Sequence, residues 1–204
     1  MKKLYTTLLI IGAAISSSAQ IETSMGFKGG MIVNQFHGDN LKQQAWKTGP
    51  QVGGYMNLSL ANISQFQFEL LYQRQRGSFV SDLGEFDLRT GYIEIPLLYK
   101  LRYPSKKGIY PYLSIGQSVG YKISESSRIH TTESEGTFKE AANQVKSINV
   151  NTLVGAGVDF ESDNVNLFVD ARYVNGNINI SKQDYAVKSR SFALTIGLGF
   201  KLNK

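Results

Sequence analysis

The residues able to do chemistry are few, and they sit in odd company. Glu69 lies within QFQFELLYQRQ and Glu94 within YIEIPLLYKL, each a carboxylate in the middle of a largely apolar stretch. Two carboxylates brought close can divide acid and base roles, because like charges at short range push their protonation equilibria apart. Lys28, Lys100, Asp170 and Arg172 are the other ionisable groups in such stretches. The same six residues can equally neutralise one another as a charged plug. The two histidines, His37 and His130, have Asp39 and Ser126, Ser127 and Glu133 nearby in the chain. These are hydrolase residue types, but no spacing signature joins them, and their segments read as loops. Cysteine is absent, and the remaining candidate ligands are too scattered for a metal site. Gly155-x-Gly157 and Gly197-x-Gly199 fall inside strand-like runs, not at a strand-to-helix turn, so they do not cradle phosphate. No catalytic, cofactor-binding or metal-binding residue is assigned, and the expectation is a protein that is not an enzyme.

The elements that carry these residues are read from period-2 alternation. In residues 92–101, Ile93, Ile95, Leu97, Tyr99 and Leu101 form one row, opposed by Tyr92, Glu94, Leu98 and Lys100, with Pro96 between. Successive side chains on a strand point to opposite faces, so this is a strand with one apolar and one polar face. Similar strands are expected at residues 25–36, 51–60, 65–75, 109–122, 148–160, 165–174 and 190–202. The connections alternate long and short, with polar outer loops over residues 37–49, from Gly77, and over 124–146. Trp46 falls in the first of these, as an interface anchor or part of a loop core. A bulge is the expected accommodation of Pro96, which removes a ladder hydrogen bond.

Length, 204 residues, allows one domain, and the opening MKKLYTTLLIIGAAISSSAQ has the n-region, h-region and small-residue site of a secretory leader. Residues 1–19 are read as the signal peptide and residues 20–204 as the barrel domain. Net charge is +6, with the basic residues dispersed, so no nucleic-acid partner is expected. Alternation alone fits a soluble lipocalin-like barrel with its apolar face inward. Three features favour a membrane barrel instead. Glycines crowd the polar face, the connections alternate in length, and aromatics collect at both ends of the apolar face. Phe27, Phe66, Tyr99, Phe160 and Phe200 fall at the short-turn end, and Tyr72, Tyr121, Tyr173 and Phe192 towards the long-loop end. The expected fold is therefore all-β, an eight-stranded antiparallel up-and-down transmembrane β-barrel in the bacterial outer membrane. Its lumen would hold Lys28, Glu69, Glu94, Lys100, Asp170 and Arg172. Arg172 and Lys28 are the candidate partners of two neighbouring glutamates.

YIEIPLLYKLR, IYPYLSIGQSVGY, TLVGAGVDF, FVDARY and SFALTIGLGFKL resemble the small porin-family or PorT-like outer-membrane β-barrels common in Bacteroidetes. The resemblance covers nearly all of the chain after the leader. It implies a small outer-membrane barrel, for which no cofactor is expected from the residues, and one branch of the family is tied to type IX secretion. Three roles stay open. A non-enzymatic barrel displaying loops or serving an assembly is favoured over a narrow pore and over an outer-membrane hydrolase. The expected partners are outer-membrane lipids, the barrel-assembly machinery during insertion, and an envelope or secretion protein.

Overall fold

The computed structural model describes residues 22–37, 42–61, 63–81, 84–104, 108–130, 145–180 and 187–202. The leader read at residues 1–19 lies outside the described residues. The strands are β1 (Glu22–His37), β2 (Lys42–Ala61), β3 (Ser64–Ser81), β4 (Gly84–Arg102), β5 (Ile109–His130), β6 (Ile148–Glu161), β7 (Val165–Gly176) and β8 (Lys188–Lys201). Each pairs antiparallel with its neighbour in sequence. β1 closes on β8, with Ser24 opposite Lys201 and His37 opposite Lys188. The result is a closed eight-stranded, all-β, up-and-down barrel.

Its faces are inverted relative to a soluble protein. Phe27 is 78% exposed and Leu70 58%, while Lys100 and Gln67 are fully buried. Along β8, Phe192, Leu194, Ile196, Leu198 and Phe200 face out, and Ser191, Ala193, Thr195, Gly197 and Gly199 face in. Polar residues inside and apolar ones outside is the pattern a lipid solvent selects. At about 3.3 Å per residue and a tilt of about 40°, the outward row from Phe192 to Leu202 rises about 25 Å, the height of a membrane barrel's apolar belt. Closure also leaves no unpaired strand edge in the bilayer. At the short-turn end, Gly108 takes φ 70°, and a Cβ there would lie 2.5 Å from the Glu161 carbonyl oxygen. That turn requires glycine.

Several boundaries differ from the alternation pattern, all at the outer end. β2 starts at Lys42, so the stretch read as a polar loop containing Trp46 is mostly strand. β3 and β4 continue to Ser81 and Gly84, with only residues 82–83 between them, where a loop of about a dozen residues was expected. β5 runs on to His130. His37 and His130 therefore end strands rather than sit in loops. Beyond the belt the outward face meets water and turns polar as well, as at Arg74, Arg76 and Arg89, so the apolar–polar alternation disappears while the backbone ladder persists. Pro96 is in register with Ser118 and causes no bulge. The β4–β5 irregularity lies instead at Gly91/Tyr92, and bridging to β3 lapses opposite Pro96 and Ile95 before resuming in the same register.

Candidate functional site in the barrel lumen

All six expected lumenal charges, Lys28, Glu69, Glu94, Lys100, Asp170 and Arg172, point inward and are 5% exposed or less. Glu69 on β3 is grasped from across the barrel by Arg172 on β7 in a two-pronged pair, Nη1 to Oε2 and Nη2 to Oε1, both at 2.8 Å. Lys28 on β1 donates to Glu69 Oε1 at 3.0 Å, and the Gln67 amide also donates to that oxygen. On its other side Arg172 Nε lies 2.5 Å from Asp170 Oδ1, and the Tyr112 hydroxyl donates to Asp170 Oδ2 at 2.8 Å. The charges thus alternate in sign across the lumen. Nearer the short-turn end, Lys100 Nζ bonds both oxygens of Asp159, at 3.0 and 3.2 Å. Arg102 joins Asp159 at 3.3 Å and Glu161 at 2.5 Å. Lys100 also lies 3.7 Å from the centre of the Tyr112 ring, a cation–π contact that links the two groups.

Two details differ from the expected cluster. Glu94 does not share its cations with Glu69. The β3–β4 register sets Glu94 opposite Leu71, which leaves Glu69 displaced by two residues. Glu94 accepts instead from the Ser118 hydroxyl and from the Asn151 amide at 2.8 Å. Both candidate partners, Lys28 and Arg172, go to Glu69. Lys100, conversely, takes Asp159, which the sequence reading left out of the cluster along with Arg102. The signal was present: Asp159 is in phase with Gly155 and Gly157, and Arg102 with Lys100.

Rings fill the space between the charges. Phe168 on β7 meets Tyr55 on β2 edge-on at 5.0 Å, with Lys28 and Lys100 at 5.6 and 5.3 Å from the Phe168 ring centre. This packing explains the inward glycines. A Cβ on Gly197 would come within 2.2 Å of the Phe168 ring. Gly197→Ala is therefore expected to destabilise by about 1–3 kcal/mol through overpacking. Gly54→Ala on the outer face, whose nearest atom is 3.6 Å from the added Cβ, should be near neutral. Urea unfolding in lipid vesicles measures both, and equal losses would mean that the ring does not occupy this position.

Among the charges, Leu98, Leu153 and Val174 form an apolar cluster, with Leu98 between Glu94 and Lys100 along β4, and Phe36, Leu88, Val145, Ile180 and Val187 form a second one across the outer mouth. A backbone bond from Lys146 N to Ile180 O (2.7 Å) ties the β5–β6 and β7–β8 connections together there, and one from Ile180 N to Val187 O (2.9 Å) joins two residues of the β7–β8 connection. His37 sits at this rim. Burial, and then the charges of Arg190 and Lys188, push its imidazole below its usual range, and Nδ1 has no hydrogen-bond partner. The side chain of His130, and Asp39 and Glu133, lie outside the described residues.

On the outer wall, Phe27, Phe66, Tyr72, Tyr99, Tyr121, Phe160, Tyr173, Phe192 and Phe200 all lie in the outward phase of their strands. Phe66 meets Tyr99 at 5.4 Å and Tyr173 meets Phe192 at 5.2 Å. Trp46 joins the upper row, its ring 5.7 Å from Phe192. A groove of about 900 Å³ indents the same wall where small residues such as Ala156 and Ala171 face each other across β6 and β7.

The sequence matches the family described as outer membrane protein beta-barrel domain over residues 16–182. OprG from Pseudomonas aeruginosa has a similar structure, with a TM-score of 0.55 at 12% identity, covering 90% of this chain and 98% of that one. Neisserial surface protein A superposes with a TM-score of 0.50 at 14% identity, over 86% of this chain and 96% of its own. The outer membrane protein AlkL, solved in DMPC lipid bilayers, gives 0.50 at 14% identity, over 93% and 95%. At such identities the likeness is one of fold. No curated protein matches the sequence. A closed barrel with its charges inside and its apolar rows outside, matched over most of its length, places this chain in the outer membrane protein β-barrel domain family and in the bacterial outer membrane.

Proposed function

We propose that the protein is a non-enzymatic barrel of the PorT-like kind, with a lumen closed to solutes and a function carried by its outer rim and walls. In this reading it serves a structural, binding or secretion-associated role. Its partners are outer-membrane lipids, the barrel-assembly machinery during insertion, and an envelope or secretion protein. The observation that supports it most is the continuous cross-lumen chain of Lys28, Glu69, Arg172, Asp170 and Tyr112. An eight-stranded barrel has an interior that side chains can fill, and here opposite charges from β1, β3 and β7 meet at its centre with the Tyr112 hydroxyl from β5. The apolar cluster at the mouth adds a second barrier. A hydrolase that used His37 as its base would orient it with a carboxylate or an amide, whereas the charges acting on His37 are those of Arg190 and Lys188. The aromatic rows act as the two interfacial girdles. Single-channel recording in planar bilayers tests the reading. No conductance steps are expected from the folded chain, and regular, long-lived steps would establish a pore.

A further inference from the structure

The outer wall changes chemistry abruptly above the upper aromatic row. Along β3 the outward residues run Phe66, Phe68, Leu70 and Tyr72, and then Arg74 and Arg76. On β4 the outward row of Ile93, Ile95 and Leu97 continues upward as Gly91, Arg89 and Asp87. The β3–β4 register puts Arg76 directly opposite Arg89, and Arg74 opposite Gly91. Like charges facing each other across an antiparallel pair destabilise it. Asp87 relieves only part of this, lying 3.2 Å from Nη2 of Arg89. Among the described residues no carboxylate pairs with Arg74 or Arg76. Nε of Arg76 and Nε of Arg89 are both shielded from solvent and lack a hydrogen-bond partner. The lower rim is built differently: Lys201 there is held by Glu22 at 2.8 Å and Glu161 at 3.5 Å.

We propose that Arg74, Arg76 and Arg89 form a binding site for the phosphate-bearing headgroup of an outer-leaflet lipid. The site rests on the membrane placement of the barrel. Guanidinium forks match phosphate oxygens in two-pronged fashion, and one dianion can satisfy several forks at once. Height decides between lipid and solute. Aromatic rings of a membrane barrel sit at headgroup level, and Arg74 follows Tyr72 by about 7 Å along the strand. A phosphate bound there would leave its acyl chains beside Leu70 and Phe68, which are 58% and 39% exposed. The opposed arginines then become a bridged pair.

The test uses the folded full chain in zwitterionic detergent, titrated with bisphosphoryl lipid A or with phosphatidylcholine, and reads retained lipid by native mass spectrometry. Wild type should retain lipid A preferentially. A cation near an anionic surface contributes roughly fivefold in affinity, so Arg76→Gln with Arg89→Gln should weaken retention by about 25-fold. Lys188→Gln with Arg190→Gln, which removes cations from β8, should change it far less. Equal losses in the two double variants would overturn a local site, as would wild-type retention in Arg76→Gln/Arg89→Gln. Inorganic phosphate at millimolar concentration should fail to displace lipid A. Full displacement would make this a site for free phosphate. The double variant should fold at least as well as wild type, since it removes a repulsion, and Arg76→Gln alone reports the same loss in part if it does not. Heat-modifiable gel migration after insertion into vesicles is read first. A chain that never inserts sinks the membrane placement, whereas a chain that inserts but shows no preference for lipid A sinks only the headgroup site.

Discussion

Arg172→Met should lower the stability of the barrel by about 3–5 kcal/mol, the usual cost of breaking a buried ion pair from one side. Two of its guanidinium nitrogens hold Glu69 and the third lies against Asp170. Once it is gone, Glu69 retains Lys28 and Gln67, but among the described residues Asp170 keeps only the Tyr112 hydroxyl as a hydrogen-bond donor. The stranded charge is therefore that of Asp170. Adding Asp170→Asn should recover more of the loss than adding Glu69→Gln, because the first leaves the Lys28–Glu69 pair intact and the second leaves Lys28 facing an amide. Unfolding of the two double variants in lipid vesicles, followed by the fluorescence of Trp46, gives the coupling directly. If the single losses simply add, the residues are not one network. An acid–base site would respond differently, losing activity while keeping or gaining stability as its charges are neutralised.

A lipid-facing charge should produce the next largest effect. Leu70 lies between Phe66 and Tyr72 on β3, and Ile196 midway between Phe192 and Phe200 on β8. They are 58% and 57% exposed, both towards lipid. Leu70→Arg or Ile196→Arg should cost about 2–4 kcal/mol near the bilayer midplane. On the lumenal side, Thr195→Val should cost less, because it introduces no charge and the buried Thr195 hydroxyl has no hydrogen-bond partner to lose among the described residues. Gln67→Glu is not an equally mild change, although it shares the polar face. Its amide donates to Glu69, so the replacement sets two carboxylates in contact. Urea titration of the variants in vesicles orders them. Thr195→Val costing more than the outward arginines would mean that the exposed row does not meet lipid.

The strand order, the two faces and the inward set of charges follow from alternation, because a strand's period of two couples solvent preference to direction. Phe192, Leu194 and Ile196 had to share one face whatever the rest of the chain did. Likewise Glu69 and Glu94 had to join the polar rows. Alternation says nothing about how far each strand slides along the next or which strands meet across the lumen. A shift of two residues keeps every face and changes every partner. Closure of β1 on β8 and the registers of the pairs decide that Arg172 meets Glu69, that Glu94 meets Asn151, and that Lys100 goes to Asp159. The outer ends of β2 to β5 were hidden for a related reason. Hydropathy records the difference between lipid outside and a polar interior, and above the bilayer the outward face meets water and turns polar as well. Only the hydrogen-bond ladder continues there, and it sets Arg76 opposite Arg89.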